Sequence, residues 1–251
     1  MSLMDNVRKG RKIQPPRVVI YGQEGLGKST TAASAPNPIF LPTEDGLANI
    51  DCHSLPLARS YAEFVDYLGS VCSEPHDYET LVVDSLDWLE RLIHADVCRD
   101  QKVKTLADIG FNNGPKLALK QWKEVLDGLD YAHRERGMAI ILVAHEQVEK
   151  FNDPESATYD RFTMRLDKTA SPMIREWADA VLFATSKMRV DTQDLGFNKK
   201  RTTAKAVGAE GGERILRCLR SPACDAKNRY GIPMEIPLDW AEFAKYLTPQ
   251  N

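Results

Sequence analysis

Short apolar runs recur along the chain, separated by stretches whose apolar residues follow helical spacing. The runs comprise residues 17–21, 38–41, 80–83, 138–144 and 180–184. Apolar runs of this length, bounded by polar segments, are typical of strands that are buried on both faces. Because strand-like and helix-like stretches alternate, the pattern predicts an α/β fold with a mostly parallel central sheet flanked by helices.

The clearest helical pattern spans residues 116–136. Its apolar residues, among them Trp122, Val125 and Leu129, recur at helical spacing, and Gly137 follows as a stop signal. We expect all four tryptophans of the chain to pack in the core or on helix faces, because none lies in an alternating basic and aromatic pattern.

The pattern changes after Ala184, where polar, glycine-containing stretches flank a short strand-like segment at residues 214–219. This change predicts an antiparallel C-terminal extension of the sheet. A terminal helix is expected over residues 238–247, with Asp239 near its N-cap. We interpret residues 1–16 as a flexible basic tail and residues 17–251 as one domain.

Composition limits the classes of protein. The 251 residues are 43% hydrophobic, enough for one substantial core. The formal net charge of -3 is unevenly distributed: residues 187–229 contain 11 Lys or Arg and 5 Asp or Glu, so this segment carries +6 and the remainder -9. A polyanion would therefore meet the C-terminal third of the chain.

Features of membrane, secreted and zinc proteins are missing from the sequence. No apolar stretch approaches the roughly 20 residues that cross a bilayer, and the polar N-terminus does not resemble a secretory signal. The cysteines are odd in number and form no CxxC pair, which favours reduced structural thiols. We therefore expect a protein of the cytoplasm with no membrane partner.

A phosphate-binding loop follows the first predicted strand. The segment GQEGLGKS matches G-x-x-x-x-G-K-[ST] and precedes a helix-like stretch, as this motif requires. Its glycines let backbone N–H groups face a phosphate, Lys28 adds a mobile positive charge, and Ser29 is a ligand for Mg²⁺. The predicted ATP-binding residues are Gly22, Gln23, Glu24, Gly25, Leu26, Gly27, Lys28, Ser29 and Thr30.

Two carboxylates follow other predicted strands. Asp84 ends the run 80–83 and is the candidate to hold the Mg²⁺ shell together with Ser29. Because Ser85 comes next instead of a glutamate, the base that activates water must come from elsewhere. Glu44 follows the strand 38–41, at the edge of the sheet where such folds bind ligands, and is the candidate base. The alternative is that Glu44 is an acidic loop residue or caps the following turn.

These segments resemble the RecA and RadA class of recombination ATPases, especially small phage-encoded forms that consist of little more than the ATPase core. The phosphate loop with Glu24 at its third position, the Val83-Asp84-Ser85 strand end and the segment 40–47 carry this resemblance. It extends over residues 17–237 and implies a RecA-like fold, ATP and Mg²⁺ as cofactors, and ATP hydrolysis. RadA's zinc module and protease-like domain have no counterpart here.

Two further motifs belong to the resemblance. The strand end Leu142-Val143-Ala144-His145 is similar to the strand end that senses the γ-phosphate in this class, which implies that role for His145. Without the resemblance, we would interpret His145 as a hydrogen-bonded core histidine. The segment KNRYG at 227–231 resembles the RadA motif whose lysine and arginine reach the nucleotide of the adjacent subunit. The resemblance therefore implies a homo-oligomer in which Lys227 and Arg229 act in trans.

The sequence leaves two classes of function open. The first, which the resemblance implies, is a DNA-stimulated ATPase in recombination or single-strand annealing, acting in a bacterial or phage-infected cell beside a single-strand DNA-binding protein. Single-stranded DNA would then meet Lys199, Lys200, Arg201 and Lys205, although such a run also fits a solvated hairpin. The second is an ATP-gated protein-interaction module, which the acidic stretch 146–160, interpreted as a loop, favours. A small-molecule kinase is a third hypothesis, but the sequence contains no convincing Arg-rich lid.

Overall fold

The computed structural model describes residues 14–153, 157–194, 200–206 and 212–247, with isolated positions in the N-terminal tail. For residues 188–194 and 200–206 only the backbone is described. Within this part of the chain, twelve strands form one ten-stranded sheet and one two-stranded sheet. The strands are β1 (Arg17–Gly22), β2 (Pro38–Pro42), β3 (His53–Ser54), β4 (Thr80–Asp84), β5 (Ala139–Phe151), β6 (Tyr159–Met164), β7 (Ala180–Ser186), β8 (Met188–Asp194), β9 (Lys200–Ala206), β10 (Arg214–Arg217), β11 (Lys227–Asn228) and β12 (Glu235–Pro237).

The large sheet has a parallel centre with antiparallel additions. Its order is β12-β10-β7-β1-β5-β4-β2-β3, and the strands from β7 to β3 are parallel. At one edge, β10 and β11 both pair antiparallel with β7, and β12 pairs antiparallel with β10. The predicted α/β class, the mostly parallel sheet and the antiparallel C-terminal extension are confirmed.

Alternating side chains of the central strands are buried on both faces of the sheet. In β1, Val19 and Tyr21 join one apolar cluster and Val18 and Ile20 join the other. This division follows from the two-residue period of a strand and explains why the sequence shows an unbroken apolar run.

Six α-helices cover the two faces within the described residues. They are α1 (Lys28–Ala33), α2 (Tyr61–Ser73), α3 (Leu86–Gln101), α4 (Gly114–Arg134), α5 (Ala170–Trp177) and α6 (Trp240–Ala244). Helices α2, α3, α4 and α5 contribute to the first cluster, and α1 and α6 to the second. Among the described helices, none is long and apolar enough to span a membrane.

Hydrogen bonds hold both ends of the described domain. The carbonyl of Pro15 lies 2.8 Å from Nε2 of His133, and the carbonyl of Pro16 accepts from the amide of Ile140. At the other end, Asp239 caps α6 by accepting from the amide of Ala241 at 2.8 Å. The terminal helix is shorter than predicted, because residues 238–239 form its entry and its last turn is tight.

The acidic stretch after the central strand is not a loop. Strand β5 continues to Phe151 and pairs with β6 from Glu146↔Met164 to Phe151↔Tyr159, so the segment forms a β-hairpin. The charged residues Glu146, Glu149 and Lys150 hid the strand pattern, because they do not alternate regularly with apolar residues.

The basic C-terminal run lies partly in a second hairpin. Strands β8 and β9 pair antiparallel, with Gln193 opposite Arg201 and Asp194 opposite Lys200. Lys199 lies outside the described residues, and for Lys200, Arg201 and Lys205 only the backbone is described. The predicted DNA contacts of these four residues stay predictions.

Candidate nucleotide site and a neighbouring basic pocket

The phosphate loop joins β1 to α1 at the carboxyl edge of the parallel strands. Gly25 and Gly27 adopt left-handed backbone conformations, with φ of 73° and 97°. Gly22 packs so closely against β7 that a Cβ there would lie 2.2 Å from the carbonyl oxygen of Ala184. These positions therefore require glycine, which explains the spacing of glycines in the motif.

Lys28 reaches back across this loop. Its Nζ donates to the carbonyl oxygens of Gly22 at 2.9 Å and Gln23 at 2.8 Å. The side chain is buried, and burial lowers the pKa of Lys28, while the nearby carboxylates of Asp84 and Glu44 act in the opposite direction. The ammonium group of Lys28 can exchange these carbonyl oxygens for the oxygens of a phosphate.

Asp84 lies beside the loop, at the end of β4. Burial raises the pKa of Asp84, against the opposing effects of the neighbouring Ser29 and Lys28. The Oδ1 atom is buried and has no hydrogen-bond partner within the described residues. A hydroxyl and a carboxylate oxygen are hard ligands that suit a divalent cation, so Ser29 and Asp84 fit the residues that would hold one.

Glu44 is fixed at the end of β2 by contacts between neighbouring strands. Thr43 donates its backbone N–H to the carbonyl of Asp84 at 2.7 Å and its hydroxyl to the carbonyl of Ser85 at 2.6 Å. The hydroxyl of Ser85 in turn donates to Oε2 of Glu44 at 3.2 Å. Burial raises the pKa of Glu44, opposed by His145 and Ser85, so this carboxylate is a stronger base than an exposed one.

His145 lies at the end of the buried part of β5, opposite Gly22 in the neighbouring strand. Its Nδ1 is 3.0 Å from both carboxylate oxygens of Asp87, and its Nε2 is 3.8 Å from Oε1 of Glu44. Arg165 donates from Nη2 to Oδ2 of Asp87 at 2.9 Å and pairs with Glu24 at 3.5 Å. His145 is therefore a hydrogen-bonded buried histidine that also faces the candidate base.

Glu44, Asp87 and His145 bring potential metal-ligand atoms within 4.8 Å of one another. Arg165 already supplies a positive charge to Asp87, and His145 uses Nδ1 for the same carboxylate. We therefore interpret these three residues as a hydrogen-bonded network and not as a second metal centre.

The phosphate loop and the ends of β2, β4 and the buried part of β5 border one cleft of about 610 Å³. It brings together the predicted residues Glu24, Gly25, Gly27, Lys28, Ser29, Thr30, Glu44, Asp84 and His145. Trp88 and Arg91 on α3 and Arg165 after β6 also line this cleft and were not predicted. The guanidinium of Arg91 stacks on the ring of Trp88 at 4.1 Å, and Trp88 is 38% exposed, so of the two predicted placements Trp88 packs on a helix face and not in the core.

A signal for the two helical residues was present in the sequence. Helix α3 begins two residues after Asp84, so the side chains of its first turns lie beside the end of β4. Arg165 had no such signal, because its position depends on the hairpin that the sequence did not reveal.

Lys227 and Arg229 lie away from the phosphate loop of their own chain. Strand β11 pairs with the first residues of β7, at the opposite edge of the sheet. Nζ of Lys227 donates to the carbonyls of Arg175, Glu176 and Ala178, which caps the end of α5. Arg229 is half-exposed and donates to Asp179 at 2.9 Å. Action of either residue on the nucleotide of a neighbouring subunit stays a prediction.

A second cleft, of about 280 Å³, lies between the β5–β6 hairpin, α5 and the segment that precedes β11. We call it the basic pocket. It is lined by Lys150, Arg161, Lys168, Arg175 and Arg220, together with Phe151 and the carboxylates Glu149 and Asp225. Asp225 pairs with Arg175 and Arg220, which leaves the pocket with an excess of positive charge.

Arg161 is the most buried cation of the basic pocket, at 6% exposure. Its guanidinium carbon lies 3.9 Å from the centre of the Phe151 ring, and Nη2 donates to the hydroxyl of Tyr159. Its Nε is buried without a hydrogen-bond partner among the described residues. Burial of a guanidinium without a carboxylate partner is costly, so this group is suited to an anionic ligand.

Comparison with known proteins agrees with this geometry. The profile of a family described as "AAA domain" matches residues 14–230, most of the chain. The SPbeta prophage-derived uncharacterized protein YorG of Bacillus subtilis (strain 168) is 26% identical over 141 residues, which cover 53% of this chain and 42% of that protein. This chain therefore spans less than half of that relative's length. With a phosphate loop, a buried strand-end carboxylate and a family match over most of its length, the chain belongs to the AAA-domain family of P-loop ATPases.

Proposed function

We propose that this protein hydrolyses ATP in a Mg²⁺-dependent reaction. The observation that carries the proposal is the convergence of Lys28, Ser29, Asp84 and Glu44 on one cleft. Backbone amides of the loop and Lys28 bind the phosphates. Ser29 and Asp84 hold the Mg²⁺, which when bound neutralises charge on the phosphate oxygens.

Glu44 acts as the base in this proposal. The oxygen of a water molecule bonds to the γ-phosphorus, and one of its protons passes to the carboxylate of Glu44. The bond between the γ-phosphorus and the bridging oxygen breaks, which yields ADP and inorganic phosphate. The raised pKa of Glu44 supports this role, because a base nearer neutrality accepts the proton more readily.

The nucleoside end of ATP is assigned to an adjoining cleft of about 280 Å³. This cleft shares Gly27 and Thr30 with the phosphate cleft and is also lined by Arg214 and Asp239. The guanidinium of Arg214 is held by the carbonyl of Leu26 at 3.1 Å. A planar cation next to a carboxylate provides a stacking surface and a hydrogen-bond acceptor for a base and its ribose.

We further propose that hydrolysis serves single-stranded DNA, in recombination or annealing of the phage type. The basic pocket supports DNA as a partner, because buried Arg161 and its cationic neighbours suit the phosphodiester backbone. The prophage description of the Bacillus relative supports a phage origin. RecA-like assembly, with Arg229 acting on a neighbouring subunit and a single-strand DNA-binding protein as partner, belongs to the same proposal. Its place of action is the cytoplasm of a bacterial or phage-infected cell.

An ATP-gated protein-interaction module is the competing function. It is favoured by the carboxylates Glu149 and Asp160 on the β5–β6 hairpin, which would repel DNA near the basic pocket. DNA stimulation of hydrolysis separates the two proposals.

The test is ATP hydrolysis by the purified protein with no DNA, with single-stranded oligonucleotide and with duplex of the same sequence. Glu44→Gln should lower kcat by about 10²- to 10⁴-fold with nucleotide binding retained. Glu135→Gln, the same change at an exposed position, is the matched control. If single-stranded oligonucleotide stimulates ATP hydrolysis and Glu44→Gln abolishes this stimulation, the DNA-linked ATPase is supported. If the rate of hydrolysis is the same in all three arms, the protein-interaction module is favoured. Absence of hydrolysis would contradict the ATPase itself.

A further inference from the structure

Asp87 lies in the first turn of α3, buried beneath the nucleotide cleft with 3% of its side chain exposed. Its carboxylate accepts the backbone N–H of His145 at 3.1 Å and lies 3.0 Å from Nδ1 of the same residue. It also accepts from Nη2 of Arg165 at 2.9 Å. Burial alone would raise the pKa of Asp87, but hydrogen bonds from His145 and Arg165 hold it well below its usual range.

An ionised carboxylate only accepts hydrogen bonds, so Nδ1 of His145 carries the proton. The second ring nitrogen, Nε2, then faces Oε1 of Glu44 at 3.8 Å, inside the cleft. Backbone and ring of His145 are bound to the same carboxylate, so neither can turn without breaking a hydrogen bond to Asp87.

We propose that Asp87 is a positioning residue for ATP hydrolysis. It acts through His145, by fixing the protonated nitrogen on Nδ1 and directing Nε2 at Glu44. Asp87 is absent from the walls of the cleft and is not assigned contact with the nucleotide. This inference rests on the proposed hydrolysis with Glu44 as base.

The carboxylate is needed because an amide at this position has a donor as well as an acceptor. In Asp87→Asn, three donor groups from His145 and Arg165 would compete for one amide oxygen, and the amide NH₂ would require acceptors of its own. Loss of one of these bonds lets the ring of His145 turn or change its tautomer. A displacement of about 1 Å at a catalytic group costs on the order of 10²-fold in rate.

The kinetic test compares Asp87→Asn with Asp96→Asn. Asp96 is a buried carboxylate on the same helix that binds Gln121 and Arg99, so it controls for loss of a buried charge from α3. We expect Asp87→Asn to lower kcat by about 10²-fold with the Kd for ATP changed less than about 2-fold, and Asp96→Asn to leave both near wild type. An equal fall of kcat in both variants, or a wild-type kcat in Asp87→Asn, would overturn the proposal.

A double-mutant cycle tests whether Asp87 acts through His145. If it does, Asp87→Asn should cost little further rate once His145 is alanine, because the group that it positions is gone. Full additivity of the two substitutions would show that Asp87 acts by another route and would contradict the proposal.

The position of the proton on the His145 ring can be determined without measuring ATP hydrolysis. The chain has five histidines, so ¹⁵N-histidine labelling and one His145→Ala spectrum identify the ring signals of His145. We expect a protonated Nδ1 in the wild type and a changed pattern in Asp87→Asn, with Asp96→Asn unaffected. A wild-type His145 whose Nδ1 carries no proton would overturn the proposal even if Asp87→Asn failed to fold. If the wild type showed the expected signals but no hydrolysis, the proposed function would fail and the arrangement of Asp87 and His145 would stand.

Discussion

Arg165 donates its backbone N–H to the carbonyl oxygen of His145 at 2.8 Å, and this bond closes the base of the β5–β6 hairpin. The side chains of the same two residues meet at the carboxylate of Asp87. Farther out, the hairpin carries Lys150 and Arg161 of the basic pocket. The hairpin therefore joins the basic pocket to the residues that hold His145 beside Glu44.

The first prediction concerns Arg161 of the basic pocket. Arg161→Gln should weaken binding of a single-stranded oligonucleotide, because it removes the buried guanidinium, which has no carboxylate partner in the part of the chain that the structure describes. Removal of one phosphate contact should reduce the slope of log K against log salt by about 0.7. Fluorescence anisotropy of a labelled oligonucleotide over a salt series measures both quantities.

The control for Arg161 is Lys123→Gln, which removes one positive charge from the exposed face of α4. It should leave the salt slope unchanged. If both variants lowered affinity by the same factor, general charge and not the basic pocket would account for DNA binding.

The second prediction concerns the subunit that supplies Arg229. Within its own chain this residue pairs with Asp179 at the edge of the sheet opposite the phosphate loop. If it acts in trans, Lys28→Ala and Arg229→Ala proteins should each be inactive, and an equal mixture should recover about a quarter of wild-type hydrolysis, because one site in four combines both intact residues.

As a control for dilution, wild-type protein is mixed with an inactive variant in the same buffer and at the same total protein concentration. If the Arg229→Ala protein hydrolyses ATP on its own, the action of Arg229 on a neighbouring subunit is contradicted. Lys227 is less suited to this test, because its three bonds to carbonyl oxygens make its loss a structural change as well.

The sequence predicted the parts of the site that depend on strand ends. Lys28, Glu44, Asp84 and His145 each follow an apolar run, and parallel strands must bring such positions to one edge. Their common cleft was therefore predictable, although their catalytic roles stay predictions. Asp87 and Arg165 were not found, since their meeting depends on a hairpin whose charged strands gave no alternating pattern, and side-chain pairing across distant segments leaves no local signal.

The third prediction compares two helical glycines. Gly69 lies inside α2, and no atom of the described residues lies within 4 Å of the position of a Cβ, so Gly69→Ala should stabilise the protein by about 0.5–1 kcal/mol through helix propensity. Gly114 opens α4, where a Cβ would lie 2.4 Å from the carbonyl oxygen of Leu106. Gly114→Ala should destabilise by about 1–3 kcal/mol, because backbone must move. Urea unfolding of both variants checks the pair, and a destabilised Gly69→Ala would contradict the α2 assignment at this position.

The last prediction concerns the pH dependence of stability. Glu90 on α3 is 9% exposed, and both carboxylate oxygens lie within 3.1 Å of the backbone amide of Asp167. Burial raises the pKa of Glu90 to about 7, and the charge of Asp167 adds to this effect. Between the ordinary pKa of a glutamate and about 7, the folded protein binds more protons than the unfolded chain, so the contribution of Glu90 to stability falls as pH rises through this window.

Glu90→Gln removes this titration but keeps an oxygen that can accept from Asp167. The variant should therefore gain on the order of 1–3 kcal/mol over wild type above neutral pH, and the gain should vanish below the ordinary glutamate pKa. Glu63→Gln is the matched control, because Glu63 also accepts a backbone N–H, from Arg59, but is not buried. Urea unfolding on both sides of the window measures the difference between the two variants. A Glu90→Gln advantage that is equal at both pH values, or largest in acid, would contradict a carboxyl group whose ionisation is opposed by burial.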